Sequence, residues 1–160
     1  MKLAPLQLTD YFVHSLRVEA LADYDPDKEP DLDVSSLHVG EKCFRANGGH
    51  PNRFAIDLVI RQDAVGGKNR PYAYELHMVG FIEVAPGFPE DKLQRAVETN
   101  GPSMLFGAAR EILRAATGRG PYGQVLIPST TFFKSAPPAP PAACPPAKKA
   151  TKKSAQKQAR

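Results

Sequence analysis

The sequence predicts an α+β fold: a four-stranded antiparallel sheet with helices packed on one face, followed by a disordered C-terminal tail. Several segments alternate apolar and polar residues, as half-buried strands do, and short glycine-rich stretches separate them. The last apolar segment has helical spacing instead, and proline and lysine dominate the chain end. We therefore expect one folded domain at residues 1–134 and a tail at 135–160.

The first predicted strand runs over Gln7–Ala20. Its alternation places polar residues on one face and apolar residues on the other, the apolar set being Leu6, Leu8, Phe12, Leu16, Val18 and Ala20. Asp10 and His14 interrupt the apolar face, so we expect one of them near a sheet edge. The acidic segment at residues 22–33 contains prolines and predicts a loop.

Three further strands are predicted downstream. Leu32–Ala46 has an ambiguous strand pattern, whereas Arg53–Asp63 and Tyr72–Ala85 alternate clearly. The turns at 48–52 and 66–71 are glycine-rich. Short connections of this kind join antiparallel strands, because parallel strands need a long crossover.

Two helical segments, Pro89–Asn100 and Pro102–Thr117, are predicted after the sheet. Pro102 fits a first helical turn, where its missing N–H is tolerated, and Gly118 predicts the stop. One helical layer covers only one face of a sheet, yet Val79 and Phe81 are apolar on the second face. A second copy of the chain is therefore expected to cover that face.

Charge is divided unevenly along the chain. Six of the 21 basic residues and none of the 17 acidic ones lie beyond Ser135, so residues 1–134 hold 15 basic against 17 acidic residues. The alanine–proline repeats of the tail favour an extended chain without a core. The tail is expected to be a solubilising extension or a nonspecific contact for nucleic acid or acidic surfaces.

Composition argues against several function classes. No apolar run is long enough to span a membrane, and the N-terminus lacks the pattern of a secretory signal, so a cytoplasmic protein with free thiols is expected. His38, Cys43 and His50 have no zinc-site spacing, and the acidic loop lacks the features of a calcium loop. No catalytic constellation stands out. We therefore expect no metal, no cofactor and no enzymatic activity.

The order of several motifs resembles the SecB family of bacterial export chaperones. The C-terminal part carries Gly101-Pro102, Ala109-Arg110-Glu111, Arg119-Gly120 and the apolar segment ending at Pro128. Gln7–Ala20 resembles the family's first strand, and Tyr72–Ala85 its last. The resemblance implies an ATP-independent holdase that binds unfolded chains or preproteins in apolar grooves and assembles as a dimer of dimers, a homotetramer.

The resemblance also implies site residues. The candidates for client binding are Tyr11, Val13, Leu37, Val39, Phe44, Leu126 and Ile127; Phe81 also qualifies but better fits a strand centre, while Leu37 is expected on a loop. Glu19 and Glu75 match acidic positions through which the family contacts the translocase motor SecA. Ser15 stands where the family has an acid, and the tail differs from the family's C-terminus.

These departures leave other functions open. Some SecB-like proteins hold the antitoxin of a toxin–antitoxin system instead of exported proteins. From other classes, a cupped antiparallel sheet is compatible with a small-ligand-binding domain, and the basic tail with nucleic-acid binding.

Overall fold

The computed structural model describes residues 3–31, 36–46 and 50–133. The elements are the strands β1 (Leu6–Ala20), β2 (Leu37–Arg45), β3 (Arg53–Gln62) and β4 (Tyr72–Val84) and the helix α1 (Glu90–Thr117). The strands form one antiparallel sheet in the order β1-β4-β3-β2. The predicted fold class is confirmed.

The core lies between the sheet and α1. Alternate residues of β3 and β4, from Phe54 to Ile60 and from Tyr72 to Val84, are buried, and they meet the buried side chains of α1, among them Leu93, Val97, Leu105, Ala109 and Leu113. Gly101 permits α1 to approach β3 closely, because an added Cβ there would lie 2.9 Å from Cδ1 of Ile56. The predicted alternation of β3 and β4 is therefore correct.

β1 departs from its predicted alternation because its register with β4 shifts twice, between Leu8 and Asp10 and between Val13 and Ser15. Each shift is a bulge that moves the following side chains to the other face. Phe12 therefore stands opposite Val79, away from the helix, instead of sharing a face with Leu16. Between the bulges, Tyr11 and Val13 occupy the helix side of the sheet.

The helical layer is one continuous helix, and the expected second start at Pro102 is wrong. Pro102 lies inside α1. Because proline has no backbone N–H, the carbonyl of Glu98 lacks its usual helical hydrogen bond. The helix continues because Gly101 and Pro102 are buried against the sheet. The predicted end holds: α1 stops at Thr117, and Gly118 caps it.

The sheet face opposite α1, hereafter the open face, has no layer above it among the described residues. Val79 and Phe81 are half-buried there, and the Phe12 ring lies 6.3 Å from that of Phe81. The guanidinium of Arg53 lies 4.9 Å from the centre of the Phe81 ring. The open face therefore combines apolar and charged groups.

Some sequence predictions fall outside the described residues: the disordered tail at 135–160, the start of the strand predicted at Leu32–Ala46 and the Gly48-Gly49 pair of a turn. The described remainder of that second segment is a strand, and Leu37 is its first residue rather than part of a loop. No helix in the described ranges is long and apolar enough to cross a membrane.

Candidate functional site

A cavity of about 420 Å³ opens beside the sheet, at the end where α1 stops. Its walls come from the loop after β1, the neighbouring ends of β2, β3 and β4, and the arm at residues 118–133 that follows α1. We call it the tyrosine pocket; it is lined by Tyr24, Pro30, Asp31, Leu37, Gln62, Arg70, Pro71, Tyr72, Tyr74, Tyr122, Gln124, Val125, Leu126, Ile127 and Pro128.

Three tyrosine rings form one wall of the pocket. The Tyr122 ring centre lies 4.8 Å from that of Tyr24 and 5.8 Å from that of Tyr72. The Tyr72 hydroxyl donates a hydrogen bond to the carbonyl of Thr117 at 3.1 Å and accepts one from the backbone N–H of Tyr122 at 3.0 Å. These two bonds fix the buried Tyr72 ring at the base of the wall, and the half-buried rings of Tyr24 and Tyr122 supply its accessible aromatic surface.

A fourth tyrosine carries a polar group into the pocket. The Tyr74 hydroxyl donates to Oε1 of Gln62 at 2.5 Å. Burial raises the pKa of Tyr74 to about 12, although the positive charge of Arg70 acts to lower it. The phenol therefore stays neutral throughout the physiological range. Arg70, only 2% exposed, supplies a positive charge to the same wall, and its Nη1 lies 3.5 Å from the carbonyl oxygen of Asp63.

Asn69 fixes the outer wall, which is the loop at residues 21–31. Its amide nitrogen donates to the carbonyls of Asp25, Lys28 and Glu29 at 3.0, 3.1 and 3.2 Å. Its Oδ1 accepts from the backbone N–H of Asp25 at 2.8 Å. Within the loop, the Lys28 ammonium lowers the pKa of the Asp25 carboxyl.

Two side chains of α1 hold the opposite wall. The Arg110 guanidinium donates from Nε to the carbonyl of Ile127 at 2.9 Å and from Nη1 to the Ser129 hydroxyl at 3.2 Å. The Thr117 hydroxyl accepts from the backbone N–H of Val125 at 2.9 Å. The arm is thus held at several points, while the Leu126 side chain between them is 58% exposed at the pocket rim.

The seven predicted client-binding residues do not lie together. Leu37, Leu126 and Ile127 line the tyrosine pocket, although Ile127 is itself buried. Val39 follows Leu37 on the same face of β2 and is half-buried against the core. Tyr11 and Val13 are exposed on β1, and Phe44 is exposed near the opposite end of β2 from Leu37.

Glu19 and Glu75, the predicted motor contacts, both lie on the open face. Glu19 forms an ion pair with Arg17 at 2.8 Å, and Arg17 stands opposite Glu75 in the register of β1 and β4. Arg61 of β3 stands opposite Glu75 on the other side. Asp63 raises the pKa of Arg61, and the charge of Glu75 adds to that effect. The acidic groups are thus interleaved with arginines rather than forming an acidic patch.

Sequence analysis missed most of the pocket. It did not single out Tyr24, Tyr72, Tyr74 or Tyr122, which are four of the five tyrosines in the chain. Two of these tyrosines directly follow prolines that predict turns: Tyr72 follows Pro71, and Tyr122 follows Pro121. Across the described ranges, no group of three His, Cys, Asp or Glu side chains stands close enough to hold a metal ion.

Comparisons with known proteins identify relatives of this chain. The sequence profile of the SecB family, described as preprotein translocase subunit SecB, matches residues 4–134. The protein-export protein SecB of Psychrobacter arcticus is 24% identical over 118 residues, covering 74% of this chain and 75% of that protein. The protein of the same name from Xanthobacter autotrophicus is 28% identical over 107 residues, covering 67% and 64%.

Among solved structures, a SecB-like chaperone of Mycobacterium tuberculosis, in complex with a ChAD peptide from the HigA1 antitoxin, is similar at 13% identity. The match covers 84% of this chain and 94% of that one, with a TM-score of 0.46.

Proposed function

The chain belongs to the SecB family, and on that premise we propose that it is an ATP-independent cytoplasmic chaperone for protein export. It holds unfolded polypeptides or preproteins in the tyrosine pocket. It needs no cofactor for this, because binding an unfolded chain requires apolar surface and adaptable side chains rather than bond chemistry.

The single observation that carries the proposal is the tyrosine pocket itself. Four tyrosine rings and the aliphatic side chains of the arm surround one open cavity of about 420 Å³. Tyrosine supplies a large contact area for few rotatable bonds, and its hydroxyl tolerates polar neighbours. Such a surface suits apolar segments of varied sequence. Of the sequence-based candidates, Leu37, Leu126 and Ile127 are those we assign to this pocket.

We further propose that copies of the chain join along β1, in place of the contact across Val79 and Phe81 that the sequence alone suggests. This strand is a sheet edge that pairs only with β4 among the described strands, and its helix side presents Tyr11, Val13 and Leu16, each 40–44% exposed. A second copy would satisfy the edge and cover these side chains.

Two such dimers would give the homotetramer that family membership implies, with Val39 available to extend the client groove. Phe44 stands opposite Ala55, on the open face, and would need a separate contact with the client.

Glu19 and Glu75 remain our candidates for contact with SecA on the open face. The alternative partner is an antitoxin held in the same pocket, and the arginines beside both carboxylates favour it, since they reduce the negative potential that a basic motor surface would recognise. Binding of purified SecA to the wild type and to the Glu75→Gln variant distinguishes these two partners. Only the contact with SecA depends on the Glu75 carboxylate, so only that contact should weaken in the variant.

Two proposals from other classes have specific support. The pocket volume falls in the range of small-ligand sites, and the six basic residues beyond Ser135 suit nucleic acid. A saturable small molecule in native mass spectrometry would favour the first. Salt-dependent retention of DNA that is lost when the tail lysines are neutralised would favour the second.

The test of the chaperone proposal uses Leu126→Asn, which changes an exposed rim side chain and leaves the core intact. We expect the wild type to suppress aggregation of an unfolded substrate at a near-stoichiometric ratio, and the variant to bind that substrate at least about 5-fold more weakly, since a buried leucine contributes roughly 1.5–3 kcal/mol.

Leu3→Asn is the matched control, because Leu3 is also exposed but precedes β1 at the opposite end of the strand from the pocket. It should behave like the wild type. Equal binding by the wild type and Leu126→Asn would refute the assignment of clients to the tyrosine pocket.

A further inference from the structure

The tyrosine pocket has the surface that proline-rich segments recognise. Extended proline-rich chains dock in grooves lined by aromatic rings, because a polyproline helix loses little conformational entropy on binding. Here the Tyr122 ring centre lies within 6 Å of those of both Tyr24 and Tyr72, and Pro71 and Pro128 also line the cavity. A proline-rich ligand therefore fits this cavity.

Negative charge borders the same cavity. The loop at residues 21–31 carries five acidic residues and one lysine, Lys28, whose Nζ lies 2.8 Å from a carboxylate oxygen of Asp25. Asp23, Asp27 and Glu29 are exposed on this loop. Because Asn69 holds the loop at four hydrogen bonds, its charge stands at a fixed place beside the tyrosines.

The C-terminal segment of the chain matches both the aromatic wall and the acidic loop of the pocket, because its prolines are followed by lysines. Beyond Ser135 it has proline pairs up to Pro145-Pro146, then Lys148, Lys149, Lys152 and Lys153, with no acidic residue. Prolines facing the tyrosines would be followed directly by lysines facing the acidic loop. Charge complementarity of this kind selects one partner and one direction of binding.

The length of the chain decides which prolines reach the pocket. The described chain ends at Phe133, whose ring lies 5.5 Å from the guanidinium of Arg95 near the start of α1. The Tyr72 ring lies at Thr117, to whose carbonyl its hydroxyl donates, whereas Pro128 at the near rim of the pocket is only five residues before Phe133. The 22 residues of helix between Arg95 and Thr117 span about 33 Å at 1.5 Å per residue.

At about 3.1 Å per residue of polyproline helix, Pro145 reaches roughly 37 Å from Phe133, whereas Pro141 reaches only about 25 Å. Pro145-Pro146 is therefore the first proline pair able to reach the tyrosine rings of its own chain.

We propose that residues 145–153 occupy the tyrosine pocket of their own chain and compete with clients for it. This inference rests on the proposed function, since it assigns an internal competitor to the client pocket. Pro145 and Pro146 pack on the tyrosine rings, and the following lysines pair with the loop at residues 21–31. A tethered competitor acts at an effective concentration near the millimolar range, so weak docking is enough to raise the threshold for client binding.

The first test measures the affinity of the full-length chain for a fluorescent unfolded client peptide. In one variant, Pro145→Ser and Pro146→Ser are combined with Lys148→Gln and Lys149→Gln; in the control, Pro137→Ser and Pro138→Ser change a proline pair that cannot reach. We expect the first variant to bind the client at least about 5-fold more tightly and the control to match the wild type. Equal affinity in all three proteins would overturn the proposal.

The second test locates the tail directly. Cys144 adjoins the docking segment, and Cys43→Ser leaves it as the single thiol. A photoreactive label on Cys144 should cross-link to residues 21–31 or 121–128 of the same chain, and should stop doing so in the Pro145→Ser, Pro146→Ser variant. Cross-links elsewhere, or only between isotopically distinguished copies, would overturn the assignment.

The two proposals fail differently. If Leu126→Asn weakens client binding while the tail variants change nothing, the pocket remains a client site and only the tail proposal falls. If no variant affects client binding but Cys144 cross-links to the pocket, then both the client site and the competition with clients are refuted, and only the contact between tail and pocket stands.

Discussion

A single side chain, Asn69, makes four hydrogen bonds to the backbone of the loop at residues 25–29. We expect Asn69→Ala to lower the free energy of unfolding by about 1–3 kcal/mol, because two half-buried and two exposed backbone groups lose their partner. Client affinity should fall with it as the pocket wall loosens. Urea unfolding and peptide titration measure the two effects.

Asn100→Ala is the control, since its side chain makes one exposed bond, to the carbonyl of Ala96 at 2.8 Å. That variant should differ from the wild type by less than about 0.5 kcal/mol. An Asn69→Ala protein as stable as the wild type would show that the loop is held by other contacts.

Tyr74 makes the stability of the fold decrease at alkaline pH. Burial raises its pKa from 10.0 to about 12, so between these values the unfolded chain loses the proton while the folded chain keeps it. Its contribution to stability is fully present below pH 10 and is lost as the pH rises through about 12. Tyr74→Phe should flatten this decline in urea unfolding measured across the alkaline range.

The interpretation would be wrong if Tyr74→Phe showed the same alkaline decline in stability as the wild type.

At the scale of elements, two glycines of the helix region have opposite roles. Gly107 lies in α1 with open space where a Cβ would stand, whereas a Cβ on Gly120 would lie 2.5 Å from the Tyr72 hydroxyl oxygen. Gly107→Ala should therefore stabilise the fold by about 0.5–1 kcal/mol through helix propensity. Gly120→Ala should destabilise it and displace Tyr72. Thermal unfolding of both variants tests this, and a stabilising Gly120→Ala would contradict it.

The elements were largely predictable because their signals are local. The alternation of β3 and β4 and the stop at Gly118 are each contained within a few neighbouring residues. The faces of β1 were not predictable, since two bulges reverse the alternation and bulges depend on the partner strand. The continuity of α1 through Pro102 was missed because tertiary burial of Gly101 and Pro102 overrides the local preference of proline.

The candidate site was less predictable than the fold. Its tyrosines belong to segments up to 98 residues apart, from Tyr24 to Tyr122, and only the folded chain brings them together. Leu37, Leu126 and Ile127 were found through the family resemblance, whereas Asn69 and Tyr72 act through contacts that leave no local pattern. Residues that form a pocket across several elements are visible in sequence only as separate turns and strand ends.

For the whole molecule, the exposed helix side of β1 predicts self-association. Leu16 is 42% exposed there, and Leu16→Lys would place a charge in the proposed contact between copies. We expect light scattering to report an oligomer for the wild type and a smaller species for this variant. Val65→Lys, which changes an exposed residue in the turn after β3, is the control and should remain oligomeric. A monomeric wild type would contradict the assembly.

The most direct test of the central claim maps where an unfolded client binds. A client peptide with a photoreactive group is cross-linked to the full-length protein, and the adducts are identified by mass spectrometry. We predict adducts on the tyrosine pocket, at Tyr24, Tyr122 and Leu126. Adducts confined to the open face, around Phe12 and Phe81, would contradict the account.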